Sequence, residues 1–362
     1  MRRATWMTRA ALILVLVLIG SMHRCPHALA QSKAEDAGTA AAKLAVEVGT
    51  HGWIVYSRRT EDGDWDLFLM RPDGSSQRNL TRTETHNEGG ARFSPDGRRL
   101  LYYRMPPDDT MDNNKYGLYD LVLSDADGGQ AVVWGKRYRW ASWGPGGRQV
   151  ACLLPGGISI IDVETRREIR RLPRHGIVQQ LGWSRDGRWF TGTANGLGVA
   201  WCVGALNVET TRIRGVTETD RYNCTPDWWS DSQSIIYSRG IVPEAEGHAQ
   251  LWRGFTDGRP PQLLVAEGDR HLYGGCVSPD GRYIVFTRSR KDLGEVDIAQ
   301  TTMAICRVSD TPILIGSADG GGMRASYPEA HTGPVLQLEC GWEPDWTYAE
   351  IDRSPREGEG DD

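Results

Sequence analysis

An all-β fold is predicted by this sequence: a six-bladed β-propeller of four-stranded antiparallel blades, its ring closed by a composite first and last blade. Three observations carry that prediction. An aromatic or aliphatic residue is repeatedly followed by a Ser-Pro-Asp-Gly-like turn; most copies lie roughly 40 to 50 residues apart; and a short run rich in β-branched or aromatic residues follows each. The six copies are FSPDG at Phe93, WGPGG at Trp143, WSRDG at Trp183, WSDSQ at Trp229, VSPDG at Val277 and WEPDW at Trp342, after a longer last step.

Each copy reads as the end of an innermost strand and the hairpin leading out of it. Pro95 and Pro279 preset the second position of a type I turn, an Asp follows, and Gly97 and Gly281 take the left-handed conformation that closes the hairpin. Turn chemistry alone accounts for these residues, so they are read as structural. The second strands are the apolar runs 98–104, 148–154, 188–194, 234–239 and 282–288. A third strand recurs over 66–74, 118–128, 158–165, 204–210, 251–258 and 303–310, and a short outer strand is expected after each. The first blade starts at WIVYSR with no innermost strand before it, while WEPDW has no second strand after it. The C-terminal segment is therefore expected to supply the missing strand. Trp346, standing where other copies mostly carry Gly, is read as the unmade turn at that seam.

These repeats resemble the TolB-type propeller family over Gly52 to Trp346. The resemblance is specific for fold and implies little about activity. TolB itself carries an α/β domain ahead of its propeller, whereas only a short Ala-rich segment precedes Trp53 here, so a propeller lacking that domain is expected.

The remaining segments follow from composition. Residues 1–30 read as a signal peptide, with Arg2, Arg3 and Arg9 before the apolar run 10–20 and Ala28-Leu29-Ala30 as a cleavage pattern. Residues 31–51 read as a linker, 52–348 as the propeller and 349–362 as a disordered charged tail. The expected location is periplasmic or secreted, without an integral membrane span after cleavage, and the protein is expected to be a monomer. A net charge of −5, from 42 basic and 47 acidic residues, is mild and interspersed, which argues against a nucleic-acid partner. The tryptophans are read chiefly as packing between blades, Trp65 and Trp228 being those weighed as ligand contacts. Cys224, Cys276 and Cys340 precede innermost strands, where a disulfide among them is weighed; Cys152, Cys202 and Cys306 read as buried thiols.

Strand parity sends the Ser-Pro-Asp-Gly turns to one face and the irregular loops 105–116, 240–250 and 289–301 to the other, and loops that vary on a repeating scaffold are where propellers bind. The connectors on that loop face supply the candidate ligand site: His86, Glu88, Tyr138, Arg139, Gln179, Tyr222, Asp227, His271 and Tyr273, with Asn87 and Gln180 beside them. His86, His175 and His271 occupy similar connector positions, and imidazoles converging on a channel can hold a divalent metal. Solvated loop histidines explain them better, so neither metal nor cofactor is expected.

Three function classes stay open. The favoured one is an exported, non-catalytic scaffold that binds a protein or peptide partner through its loop face and channel. The second is a carbohydrate-active lyase or glycosidase, acting on a saccharide in the channel with Glu88, Asp227 and Glu244 as candidate carboxylates; oligogalacturonate lyases resemble this fold class, but no motif aligns with theirs. The third is an envelope assembly factor of TolB kind. Serine-peptidase chemistry is disfavoured because no GxSxG elbow occurs.

Overall fold

In the computed structural model, residues 38–109, 119–197, 201–217, 222–240, 248–290, 301–316 and 323–352 are described. Their strands form six sheets, antiparallel but for one added edge strand, each built outward from an innermost strand. The innermost strands touch their neighbours all the way round, from Asn87–Phe93 of blade 2 to Trp342–Thr347 of blade 1. This is the expected six-bladed propeller.

Blade 1 is the expected composite. Trp342–Thr347 pairs antiparallel with Trp53–Arg59, and Trp65–Met70 and Arg78–Asn79 complete the sheet. The pairing also corrects the sequence register. Phe93 faces Leu100, Trp143 faces Val150, Trp183 faces Phe190 and Val277 faces Ile284, each seven residues ahead. The residue that meets this pattern in blade 5 is Trp228, opposite Ile235, rather than Trp229. In blade 1 it is Trp346, opposite Ile54, and Trp342 lies four residues before it. Trp346 is thus the anchor of its blade and does not replace a turn glycine.

The turns owe their uniformity to hydrogen bonds. Ser278 Oγ donates to Asp280 Oδ1 at 2.7 Å and accepts from the Tyr283 N–H at 2.9 Å, while the Arg282 N–H donates to Asp280 at 3.0 Å. Ser94 with Asp96 and Ser184 with Asp186 repeat the arrangement. Blade 5 reaches the same shape with other residues: Ser232 takes the glycine's place at φ 55°, and Asp231 accepts from the Ser234 N–H at 2.9 Å.

Two departures have clear physical causes. Residues 38–48, expected to be a linker, form a helix in which Leu44 and Val48, one turn apart, are buried against Ile54, Tyr56, Tyr283 and Trp346. Glu47 on the same helix ion-pairs with Arg307 and accepts from the Tyr283 hydroxyl. The second departure is in blade 6, where the third strand Thr302–Arg307 pairs with Val335–Cys340. The segment expected to follow it as an outer strand, Ile313–Ile315, instead lies parallel to Gln262–Glu267 and makes a fifth strand of blade 5. Ile313 and Leu314 are buried there, so apolar burial decides its position.

Candidate functional site

The chain takes the same unusual backbone angle at one position of every innermost strand or just before it. The residue three before the anchor has positive φ: Gly90, Trp140, Gln180, Thr225, Gly274 and Glu343. In blades 1, 2, 4, 5 and 6 the pairing register shifts across this point, the mark of a β-bulge. A bulge takes backbone donors out of the ladder, and here the preceding blade satisfies them. The Thr225 N–H donates to Gln180 Oε1 at 2.7 Å, and the Gly274 N–H to Thr225 Oγ1 at 3.2 Å. The anchors do likewise, with the Phe93 N–H on Asp345 Oδ2 at 2.7 Å and the Trp183 N–H on Ser142 Oγ at 2.9 Å.

The side chains just before the anchors are Arg92, Ser142, Asp227, Cys276 and Asp345, with Gly182 as the sixth. All of them line a cavity of about 450 Å³ in the channel, together with Trp140, Trp143, Gln180, Trp228, Glu343 and Arg185. Pro95, Pro145 and Pro279 also line it, so it lies toward the turn end of the channel. Arg185 reaches from blade 4 to the turn of blade 6, its Nη1 donating to the Pro279 carbonyl at 3.2 Å.

Enclosure dominates the electrostatics. Burial pushes the Asp227 carboxyl up to about 6, against the Arg92 charge that lowers it, and the Asp345 charge adds to the rise. Asp345 is likewise raised, by burial first, despite Arg92 and its bond from Phe93. Burial works against the Arg92 cation, but Asp345, Glu343 and Asp227 outweigh it and hold the guanidinium charged. Burial and the two aspartates push the Cys276 thiol well above its ordinary range, so it stays protonated and is a poor nucleophile.

Of the nine candidate ligand residues read from the sequence, Asp227 alone lines this cavity, together with its neighbour Trp228 and with Gln180. Glu88 is fully buried and engaged by Thr83 and Arg104; burial first, against those bonds, raises its carboxyl to about 7. Tyr138 belongs to the outermost strand Val132–Tyr138 and packs on Trp134. Arg139 is half-buried just after that strand, and Gln179 faces Thr193 in blade 4. His271 is buried, accepts from the Ala249 N–H, stacks on Tyr273, which is also buried, and meets the His248 ring at a tilt. His86 is half-buried, its Nδ1 within 2.9 Å of Thr85 Oγ1, and Tyr222 is exposed beside Trp201. Glu244 and most of the three variable loops lie outside the described residues, as do the leader and residues 353–362.

Among the described residues no group of three His, Cys, Asp or Glu side chains could hold a metal ion, and His86, His175 and His271 form none. Cys152, Cys202, Cys224, Cys276 and Cys306 are buried and Cys340 is exposed, and none of them is in a disulfide. No helix among the described residues is long and apolar enough to cross a membrane.

What sequence reading missed is the position before the anchor. Strand alternation could have located it, because that position lies on the opposite side of the strand from the anchor. The assignments of Trp229 and Trp342 hid it: with Trp228 and Trp346 as anchors, Asp227 and Asp345 fall in line with Arg92.

No protein-family model matches this sequence, and no curated protein matches it. Solved structures do. TolB from Acinetobacter baumannii is similar with a TM-score of 0.59 at 16% identity, over 82% of this chain and 67% of that one. A putative TolB from Agrobacterium tumefaciens has a TM-score of 0.47 at 15% identity, over 80% and 97%. An oligogalacturonate lyase in complex with manganese has a TM-score of 0.45 at 12% identity, over 75% and 78%. At these identities the likeness is one of fold, and the fold is that of a TolB-like propeller.

Proposed function

We propose that this TolB-like propeller is an exported, non-catalytic binding protein that takes a cationic group of a protein or peptide partner into its channel cavity. The observation that carries this reading is the unrepeated set of groups around the cavity, in which the carboxyl groups of Asp96, Asp227, Glu343 and Asp345 outnumber the guanidinium groups of Arg92 and Arg185. An excess of enclosed carboxylates favours a ligand bearing positive charge, and the surrounding tryptophans suit its aliphatic stem or a cation on a ring face. Asp345, Ser142 and Gln180 are already acceptors in the bonds that join blades, which supports a rigid recognition surface over a reacting one. At the loop end, exposed Tyr222 and half-buried His86 extend the proposed contact surface.

The test is titration of tryptophan fluorescence with short peptides ending in Lys, Arg or Glu. Lys and Arg peptides are expected to bind, and Asp227→Asn to weaken them about fivefold or more without lowering the melting temperature at neutral pH. Equal or stronger binding of the Glu peptide would refute a cation site. One observation favours the carbohydrate-active alternative: an enclosed Asp227 carboxyl near 6 beside Asp345 suits proton transfer. That alternative requires turnover of a polyuronate or other glycan, lost in Asp227→Asn.

A further inference from the structure

Blade 3 ends in the strand Glu168–Leu172, whose far edge carries no partner strand among the described residues. Residues 164–171 are exposed without interruption, so neither face of most of that strand is covered. Within the span 166–174, Arg166, Arg167, Arg170, Arg171 and Arg174 gather on a chain whose net charge is −5. The three acids nearby are taken, Glu164 by Arg99 at 3.2 Å, Glu168 by Arg171 at 2.6 Å and Asp162 by Thr165 at 2.8 Å. Among the described residues, Arg166, Arg167, Arg170 and Arg174 enter no ion pair.

Cations on an edge strand also guard it against unwanted pairing. Guarding does not require Ile169, which stands 52% exposed among the arginines and offers an apolar contact to an added strand. The molecule already accepts such an addition on blade 5, where Ile313–Ile315 runs parallel to Gln262–Glu267. Other edges suit a partner less: Arg78–Asn79 has two residues and Ile213–Gly215 three, Val132–Tyr138 has Lys136 and Arg137 with Arg139 after it, against five arginines here, and Val335–Cys340 has no cation.

We propose that the outer edge of blade 3 docks an acidic, extended peptide segment of a partner protein, which adds a strand along Glu168–Leu172 and sets its carboxylates against Arg166, Arg167, Arg170 and Arg174. This surface is independent of the channel cavity, and either can stand without the other.

The probe is a fluorescein-labelled octapeptide of alternating Glu and Val, followed by anisotropy with the full chain. One companion replaces Glu with Lys; another keeps the charge but carries N-methyl groups on alternate backbone amides, so it cannot extend a sheet. Saturable binding of the Glu peptide is expected, absent for the Lys peptide and weakened about tenfold both by N-methylation and by the double variant Arg166→Ser with Arg170→Ser. The double variant is expected to melt with the parent chain, since both side chains are exposed and unpaired. An N-methylated peptide that binds as tightly as its parent overturns strand addition and leaves an anion-attracting surface. Absence of saturable binding by the Glu peptide overturns docking altogether, and self-association of the double variant would then identify the arginines as edge guards.

Discussion

Asp96, Asp186 and Asp280 in the turns and Asp227 and Asp345 in the channel are the same residue type near the ends of equivalent innermost strands, yet their carboxyls shift in opposite directions. Burial raises a turn aspartate, but bonds from its Ser, from the backbone N–H two residues on, and nearby arginines outweigh it and lower the carboxyl. In the channel burial prevails, and Asp227 and Asp345 are raised. The turns recur because each solves the same local problem of closing a hairpin. The channel positions run Arg, Ser, Gly, Asp, Cys, Asp and recur in nothing but location. Repetition in this molecule records folding, and its absence at a structurally equivalent position marks where the blades have different work.

The contrast can be broken most forcibly at a turn glycine. Gly97 has φ +70°, and a Cβ there would meet Thr347 Oγ1 at 2.3 Å and Ala349 Cβ at 2.4 Å. Gly97→Val is expected to cost about 3 kcal/mol or more, read as a lowered urea midpoint, because it combines a forbidden backbone angle with a clash against the closing blade. A midpoint equal to that of the parent chain would remove the turns' structural role.

A smaller loss is expected from Asp280→Ala, about 1–2 kcal/mol near neutral pH, through the bonds from Ser278 and the Arg282 N–H. Its carboxyl is lower folded than unfolded, so its stabilisation is present above the unfolded value of about 3.9 and disappears as pH falls through the folded one. The parent and the variant should therefore converge in stability on acidification.

Asp227→Asn should move stability least and in the other direction. A carboxyl raised to about 6 favours the fold only when protonated, so the parent chain loses stability as pH rises from roughly 4 to 6, a loss the variant escapes. At pH 8 the variant should be equal to the parent or more stable by about 1 kcal/mol. A destabilisation matching that of Asp280→Ala would erase the distinction between the two kinds of aspartate.

Much of the fold was legible because local signals were redundant: an anchor, a turn and a β-branched run agree in blades 2, 3, 4 and 6. Blade 5 doubled its tryptophan and replaced Gly with Ser232, and blade 1 split its strands between the chain ends, so the anchors there were misplaced. The helix over 38–48 had its signal in Leu44 and Val48 at helical spacing, masked by an alanine-rich composition that also fits a linker. The position of Ile313–Ile315 depends on a neighbouring blade's uncovered apolar face, which no local pattern encodes. The channel set was illegible for a related reason: Arg92, Asp227 and Asp345 are far apart in sequence, and only the ring makes them neighbours.

The seam of blade 1 has a kinetic consequence. Trp346 Nε1 donates to the His51 carbonyl across 295 residues of chain, and the strand it belongs to is the last to be made. Joining ends so distant costs about 5 kcal/mol in chain entropy, recovered only when that final strand docks. Hairpin-built blades can form early from neighbouring residues, but the ring, with its enclosed charges, must wait for a single terminal latch. Assembly of this molecule should therefore show a slow last phase, sensitive to the final strand and indifferent to most of what precedes it.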